Sequence, residues 1–394
     1  MKPNVQEPLS QYTDVTLEDI PPASQSTDTE EIIENPHLSI ESSRLVHYLN
    51  AVKHLKVASK DILARSILLE TKNGNLYLTA TDVDIYVKTV IPLLNTTNIL
   101  DGYFVLPIEA MMSILRVGYP WFIIHRDGTT YLARLYRGDM ELETYRIGYE
   151  RFYCGRVDAG NSDIIPVEKL SRIIRQFSGM LSVAMSGYER RLLFSPTGVY
   201  MISTWSVMRV PGTFPSMELR IRDTSIIQSL LRCCQDEKVR VISAKVGHRK
   251  ELVGRSIIFS FYSPEVIIPD QITGLVDTVS RMSGVIISRS KLMKVLTLAK
   301  ELKHLSGSIQ LSYAGNSLQV KPISLKNTAR SEMVFPGRES GFNLSRGTYV
   351  VNASLFRSIL AAMDQDEVTI ILHGKGVGIT TDFCEAVLYT EQPM

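Results

Sequence analysis

What the chain has little of limits what it does. Its four cysteines, Cys154, Cys233, Cys234 and Cys384, show no metal-ligand spacing, so they read as buried thiols in a reducing compartment. No apolar run approaches the length that crosses a bilayer, and no signal-peptide pattern opens the sequence. A soluble, cytoplasmic protein is expected. There is no nucleophile elbow and no metal motif. The glycine-rich GKGVG at 374–378 lacks the following helix and the Lys-Ser/Thr of a phosphate loop, so it reads as a hairpin turn. Net charge is only +2 over 394 residues. A protein without enzymatic activity, needing no cofactor and no metal, is expected.

Two residue pairs test that expectation. Asp82 and Asp84 alternate on a strand and share a face, as a general acid/base or metal pair would. No histidine or third acid accompanies them, so a surface or turn role is expected; a metal-dependent hydrolase centred on them is the weakest reading. His47 and His54 share a helix face without a third ligand, which argues against zinc.

The small net charge conceals an uneven distribution. Residues 1–38 hold eight acids against Lys2 alone, a charge of −7, which leaves +9 on residues 39–394. The leading segment is rich in Pro, Ser, Thr and Gln and has no hydrophobic periodicity. It is expected to be a disordered acidic tail.

Beyond the tail a pattern recurs. Leu45, Leu49, Val52 and Leu55 stripe a helix over 42–58, and strands follow around the Asn73-Gly74 turn. A strand at 103–106 leads through Pro107 into a helix ending at Arg116, again followed by strands. Helices starting near Arg44, Glu168 and Ser290 lie 124 and 122 residues apart, and a second series starts near Pro107, Thr224 and Ala353. The repeat implies an α+β fold of three domains, each two copies of strand–helix–three strands, with antiparallel sheets outside and helices on one face. The expected domains are 39–158, 159–283 and 284–394. Residues 264–283 read as a connector, and Asp223 reads as an N-cap.

The stretch Ser288 to Leu305, SRSKLMKVLTLAKELKHL, shows what the helices share. Leu292, Val295, Leu296, Ala299 and Leu302 form an apolar stripe, and Arg289, Lys291, Lys294 and Lys300 fall outside it. Across the six helical windows Lys and Arg number 14 and acids four, so the helices carry +10 and the rest of residues 39–394 carries −1. One basic helix describes a solvated surface. The same bias on six helices on one side of the sheets points to a polyanion there.

Several stretches then carry a family resemblance. ILARSILLE (62–70), NLYLTATDVDIYV (75–87), FVLPIEAMMSIL (104–115), IPDQI (268–272), YVVNASLFRSILAAM (349–363) and AVLYTEQPM (386–394) resemble the bacterial β sliding clamp, the processivity subunit of the replicative DNA polymerase. The order of the six half-repeats is more specific than any single motif. The resemblance implies a head-to-tail homodimer, closed into a ring whose helices line a hole around double-stranded DNA. A DNA polymerase and a clamp loader are the implied partners.

Carried over by residue, the resemblance puts DNA-facing cations at Arg44, Lys53, Lys56, Lys169, Arg172, Arg175, Lys291, Lys294 and Lys300, with Lys60 and Arg65 flanking a further DNA-approaching loop. It puts the dimer contact near Tyr131 and Leu135. It puts a partner-peptide cleft at Thr204, Ser206, Val207, Met208, Pro269, Asn352, Leu355, Pro393 and Met394. The chain departs from the family there: Thr204-Trp205-Ser206-Val207-Met208 replaces a Thr-Asp-Gly-His-Arg-type turn. That departure leaves open a clamp-like ring with another client, such as transcription or repair machinery.

Overall fold

A computed structural model describes residues 36–390 except 57–60, 83, 96, 117, 119, 128–129, 136–137, 143, 153–158, 182–190, 234–236, 302–304, 325–332, 340–346 and 375. A unit of one strand, one helix and three strands occurs six times. The first is β1 (His37–Glu41), α1 (Ser42–Lys56), β2 (Ser66–Lys72), β3 (Asn75–Thr81) and β4 (Tyr86–Pro92). The second is β5 (Gly102–Pro107), α2 (Ile108–Arg116), β6 (Trp121–Asp127), β7 (Thr130–Leu135) and β8 (Gly138–Leu142). The third is β9 (Ala159–Pro166), α3 (Val167–Leu181), β10 (Arg191–Ser195), β11 (Gly198–Ile202) and β12 (Ser206–Pro211). The fourth is β13 (Met217–Arg220), α4 (Ile221–Cys233), β14 (Lys238–Ala244), β15 (Arg249–Val253) and β16 (Ile257–Tyr262). After helix α5 (Asp270–Ser280) comes the fifth: β17 (Val285–Ser288), α6 (Arg289–Glu301), β18 (Leu305–Ala314), β19 (Ser317–Ser324) and β20 (Met333–Pro336). A short β21 (Arg338–Glu339) precedes the sixth: β22 (Thr348–Asn352), α7 (Ala353–Ala362), β23 (Glu367–His373), β24 (Gly376–Thr380) and β25 (Glu385–Tyr389).

Each unit lends its first strand to its sister. β1 pairs with β6 and β5 with β2; β9 pairs with β14 and β13 with β10; β17 pairs with β23 and β22 with β18. Neither unit of a pair completes its sheet alone, so the two fold as one domain. The sheets then join third strand to third strand. Thr89 of β4 lies opposite Ile257 of β16, and Ser206 of β12 lies opposite Leu388 of β25. These seams make one eight-stranded and one nine-stranded sheet. Two four-stranded sheets complete the fold, each with a third strand, β8 or β20, at one edge.

The helices form because their apolar stripes fit under these sheets. Leu45, Leu49, Val52 and Leu55 of α1 are fully buried, as are Leu292 and Leu296 of α6. The six unit helices pack side by side in the order α2, α1, α4, α3, α7, α6. The first hairpin turns where the sequence places it: Asn73 and Gly74 both have positive φ, 54° and 71°, as the two central residues of a type I′ turn require.

Several expectations are corrected. His37 and Leu38 belong to β1 and not to the tail; residues 1–35 lie outside the described residues. The connector at 264–283 contains α5. Its β-branched residues and Gly274 weaken helix propensity, but Ile272, Leu275, Val276 and Val279 follow helical spacing and pack on the face of the nine-stranded sheet opposite the main core. Leu305 opens β18 and does not close α6. Asp223 is not an N-cap: it lies inside α4 and its carboxylate accepts from the backbone N–H of Arg220 at 2.9 Å, the reach-back half of a capping box.

Candidate nucleic-acid interface

The helix row carries the positive charge, and the structure sorts its cations. Lys53, Arg175, Lys291 and Lys294 are exposed on α1, α3 and α6. Arg116 of α2 and Arg232 of α4 are exposed as well and were not singled out from sequence; their signal is a cation in the last turn of each helix. Arg65 is exposed just after the first helix. Lys53 donates to Asn50 Oδ1 at 2.8 Å, a neutral partner, and pairs with no acid among the described residues. The side chains of Lys56 and Lys300 lie outside the described residues, as does Lys60 entirely. By contrast α5, on the opposite face of the sheet, has Asp270 and Asp277 and no cation.

Three of the expected DNA-facing cations are already partnered. Arg172 donates to Asp364 at 2.6 Å and lies 3.7 Å over the Phe383 ring, so it ties the third unit to the sixth. Arg44 pairs with Glu41 at 2.8 Å. Lys169 lies 4.4 Å over the Phe214 ring. The exposed charge of the row therefore rests on fewer groups than the sequence count suggests.

The start of α6, the most basic helix, is fixed from far along the chain. Asp366 Oδ1 accepts from Ser290 N at 3.0 Å, and Ser288 Oγ donates to Oδ2 at 3.1 Å. These bonds hold the Asp366 carboxyl below the usual range. They also fix how Lys291 and Lys294 are presented.

The expected partner cleft is only partly assembled. Successive strand residues face opposite sides, so Val207 joins the cluster under α5 while Met208, equally buried, joins the main core on the helix side. Met208 therefore cannot line a cleft with Val207. Ser206 is buried and shares a 2.9 Å hydrogen bond with Ser203. Thr204 and Trp205 are exposed at the turn before β12, and the Trp205 carbonyl accepts from Tyr389 N at 2.9 Å. Pro393 and Met394, beyond Tyr389, lie outside the described residues. Pro269 is the exposed residue that starts α5. Asn352 caps α7, accepting from Leu355 N at 3.0 Å, and Leu355 is half-buried on the main core.

Beneath α5 sits a charged group that no sequence motif marks. Arg209 of β12, 7% exposed, donates to Asp277 of α5 at 2.6 Å and to Glu385 of β25 at 2.7 Å. Burial opposes its charge, and the hydrogen bonds with Tyr200, Asp277 and Glu385 outweigh that cost, raising its pKa above the ordinary value.

No protein-family model matches the chain, and no curated protein sequence does. Solved structures do. The DNA polymerase III beta subunit of Thermotoga maritima superposes with a TM-score of 0.70 at 14% identity, over 91% of this chain and all of the other. A Pseudomonas aeruginosa sliding clamp bound to griselimycin gives a TM-score of 0.72 at 16% identity, with 91% and 100% covered. A putative beta subunit from Eubacterium rectale gives 0.70 at 14%, with the same coverage. The chain has the sliding-clamp fold.

Within the clamp fold one further expectation shifts. Tyr131 and Leu135 lie on β7, which pairs with β6 on one side and β8 on the other, so its backbone has no free edge for a second chain. Tyr131 instead stacks on Phe104 at 4.4 Å. The edge strand of that sheet is β8. Asp82 has the turn role expected of it and not that of a carboxylate pair. It accepts from Ile85 N at 2.8 Å and from Arg222 of α4 at 2.8 Å, closing its own turn and linking the first unit to the fourth. Asp84 is exposed.

Proposed function

We propose that the protein is a DNA sliding clamp: two chains close head to tail into a ring around duplex DNA and tether a polymerase. The observation that carries this reading is the single row of six helices, five of which carry exposed cations, inside a fold shared with polymerase beta subunits. A ring that slides must attract phosphates without fixing a register, and long cationic side chains without a base-reading element suit that task. The domains of this reading are 39–158, 159–283 and 284–394, with β1 added to the first.

The seams support closure. Third strands pair at β4–β16 and β12–β25, and β8 and β20 are the third strands without such a partner among the described residues. Pairing β8 of one chain with β20 of the next repeats the same seam and closes two chains. A clamp loader and a polymerase are the partners, in the cytoplasm, and docking uses the outer seam beside α5, where Thr204, Trp205 and Pro269 are exposed.

Duplex binding at several salt concentrations, on unrelated sequences, tests the interface. The expected result is equal affinity on all sequences and a steep salt dependence, with each of Lys53→Glu, Lys291→Glu and Lys294→Glu weakening binding uniformly and lowering the slope by about 2, about 1 for each chain of the ring. A variant that loses one sequence and keeps another contradicts the reading.

A further inference from the structure

We propose that the acidic segment 1–35 of the chain lies along the cationic helix row and competes with DNA for it. The proposal rests on the reading of that row as the DNA-facing surface and adds its regulation. The segment holds Glu7, Asp14, Glu18, Asp19, Asp28, Glu30, Glu31 and Glu34 against Lys2 alone. Its charge of −7 is opposite to the +10 of the six helices and close to it in size. No other segment of comparable length carries such a single-signed excess of acid.

Placement agrees with charge. The segment joins the described structure at Pro36, which is exposed, and β1 leads directly into α1, the second helix of the row. β1 is held in place, with His37 N donating to Asn98 O at 2.8 Å, so the attachment point is fixed. Six helices packed side by side span about 50 Å. The 35 residues cover up to about 120 Å when extended, so the acids can reach Lys53 on α1, Arg175 on α3 and Lys291 and Lys294 on α6. Tethering sets the local concentration of carboxylates near the row in the millimolar range, with no need for a folded contact. The acids are spread along the segment, so they present a series of anions to the row much as a phosphate backbone does.

DNA and the segment then exclude each other by charge. The segment lowers affinity for free duplex and yields where a partner holds DNA in the ring. Because exposed charges are screened, the competition weakens as salt rises.

The test compares the full chain, a form beginning at Pro36, and a form whose eight acids are changed to their amides. At low salt, about 50 mM, both altered forms are expected to bind a short duplex about tenfold more tightly than the full chain, with the difference falling below about twofold near 0.5 M. A synthetic peptide of residues 1–35 is expected to displace duplex from the shortened form at low salt. Equal affinity of the full and shortened chains at low salt overturns the proposal and leaves the DNA reading intact. Carbodiimide crosslinking without DNA gives an independent readout, with crosslinks from segment carboxylates to Lys53, Lys291 or Lys294 expected. If no form binds duplex, the DNA reading fails and the crosslinks decide: present, the segment still occupies the row; absent, the proposal falls as well.

Discussion

Arg209 of β12 reaches Glu385 of β25 across the seam between the third and sixth units, at 2.7 Å, while also holding Asp277 of α5 at 2.6 Å. The outer helix and the seam are therefore locked by the same guanidinium. Replacing Arg209 with Leu leaves two carboxylates without their cation. Glu385 is mostly buried and Asp277 partly exposed, so the cost is expected at the lower end of that for breaking a buried pair, about 3 kcal/mol. Urea unfolding checks the magnitude, and hydrogen exchange in α5 should accelerate before exchange in α3.

Asp223 supplies a pH dependence. Burial raises its pKa to about 6, against the opposing bond from Arg220 N and the Arg222 and Arg220 charges. The native state thus holds the proton more tightly than the unfolded chain. This group's contribution is full below the unfolded value of 3.8 and is lost as pH rises through about 6, on the order of 3 kcal/mol in all. Asp223→Asn keeps an acceptor for Arg220 N and removes the titration. Relative to the parent, the variant should gain stability between pH 4 and pH 7, read from denaturant midpoints; a constant difference across that range contradicts the assignment.

Gly378 of β24 sits under α5, and a Cβ there would collide with the Val279 side chain. Gly378→Ala is expected to cost about 1–3 kcal/mol by overpacking, and Val279→Ala in the same chain should recover much of it. Additive losses in the double variant would mean that α5 does not rest on β24 in this way.

In the proposed ring the edge strands carry the assembly. Val334 of β20 is 54% exposed on a strand with no neighbour beyond it among the described residues. Val334→Asp places a charge beside the partner strand in the proposed seam. Light scattering should show the dimer shifting to monomer at micromolar concentration, with far-UV circular dichroism of the folded chain unchanged, since the substitution itself is a surface change.

The repeat, the helix stripes and the Asn73-Gly74 turn are legible in the sequence because each depends on local periodicity or on a backbone conformation that few residues accept. What is not legible joins residues far apart. Asp366 holds the first turn of α6 through Ser290, 76 residues earlier, and Arg222 reaches Asp82 across 140 residues. Sequence spacing carries no trace of either. Val207 and Met208 fall in one expected pocket only if neighbours in sequence are neighbours in space, whereas a strand sends them to opposite cores. The helix charge keeps its direction and shrinks in extent, because Arg44 and Arg172 are held by Glu41 and Asp364.

The most direct test of the central claim is a particle image of the full chain, taken together with its solution mass. The account predicts a closed ring of two chains, twice the 44.3 kDa of one, with a central hole lined by the helix row and wide enough for duplex DNA. Single crescents at every concentration, or open chains of many copies, would contradict it.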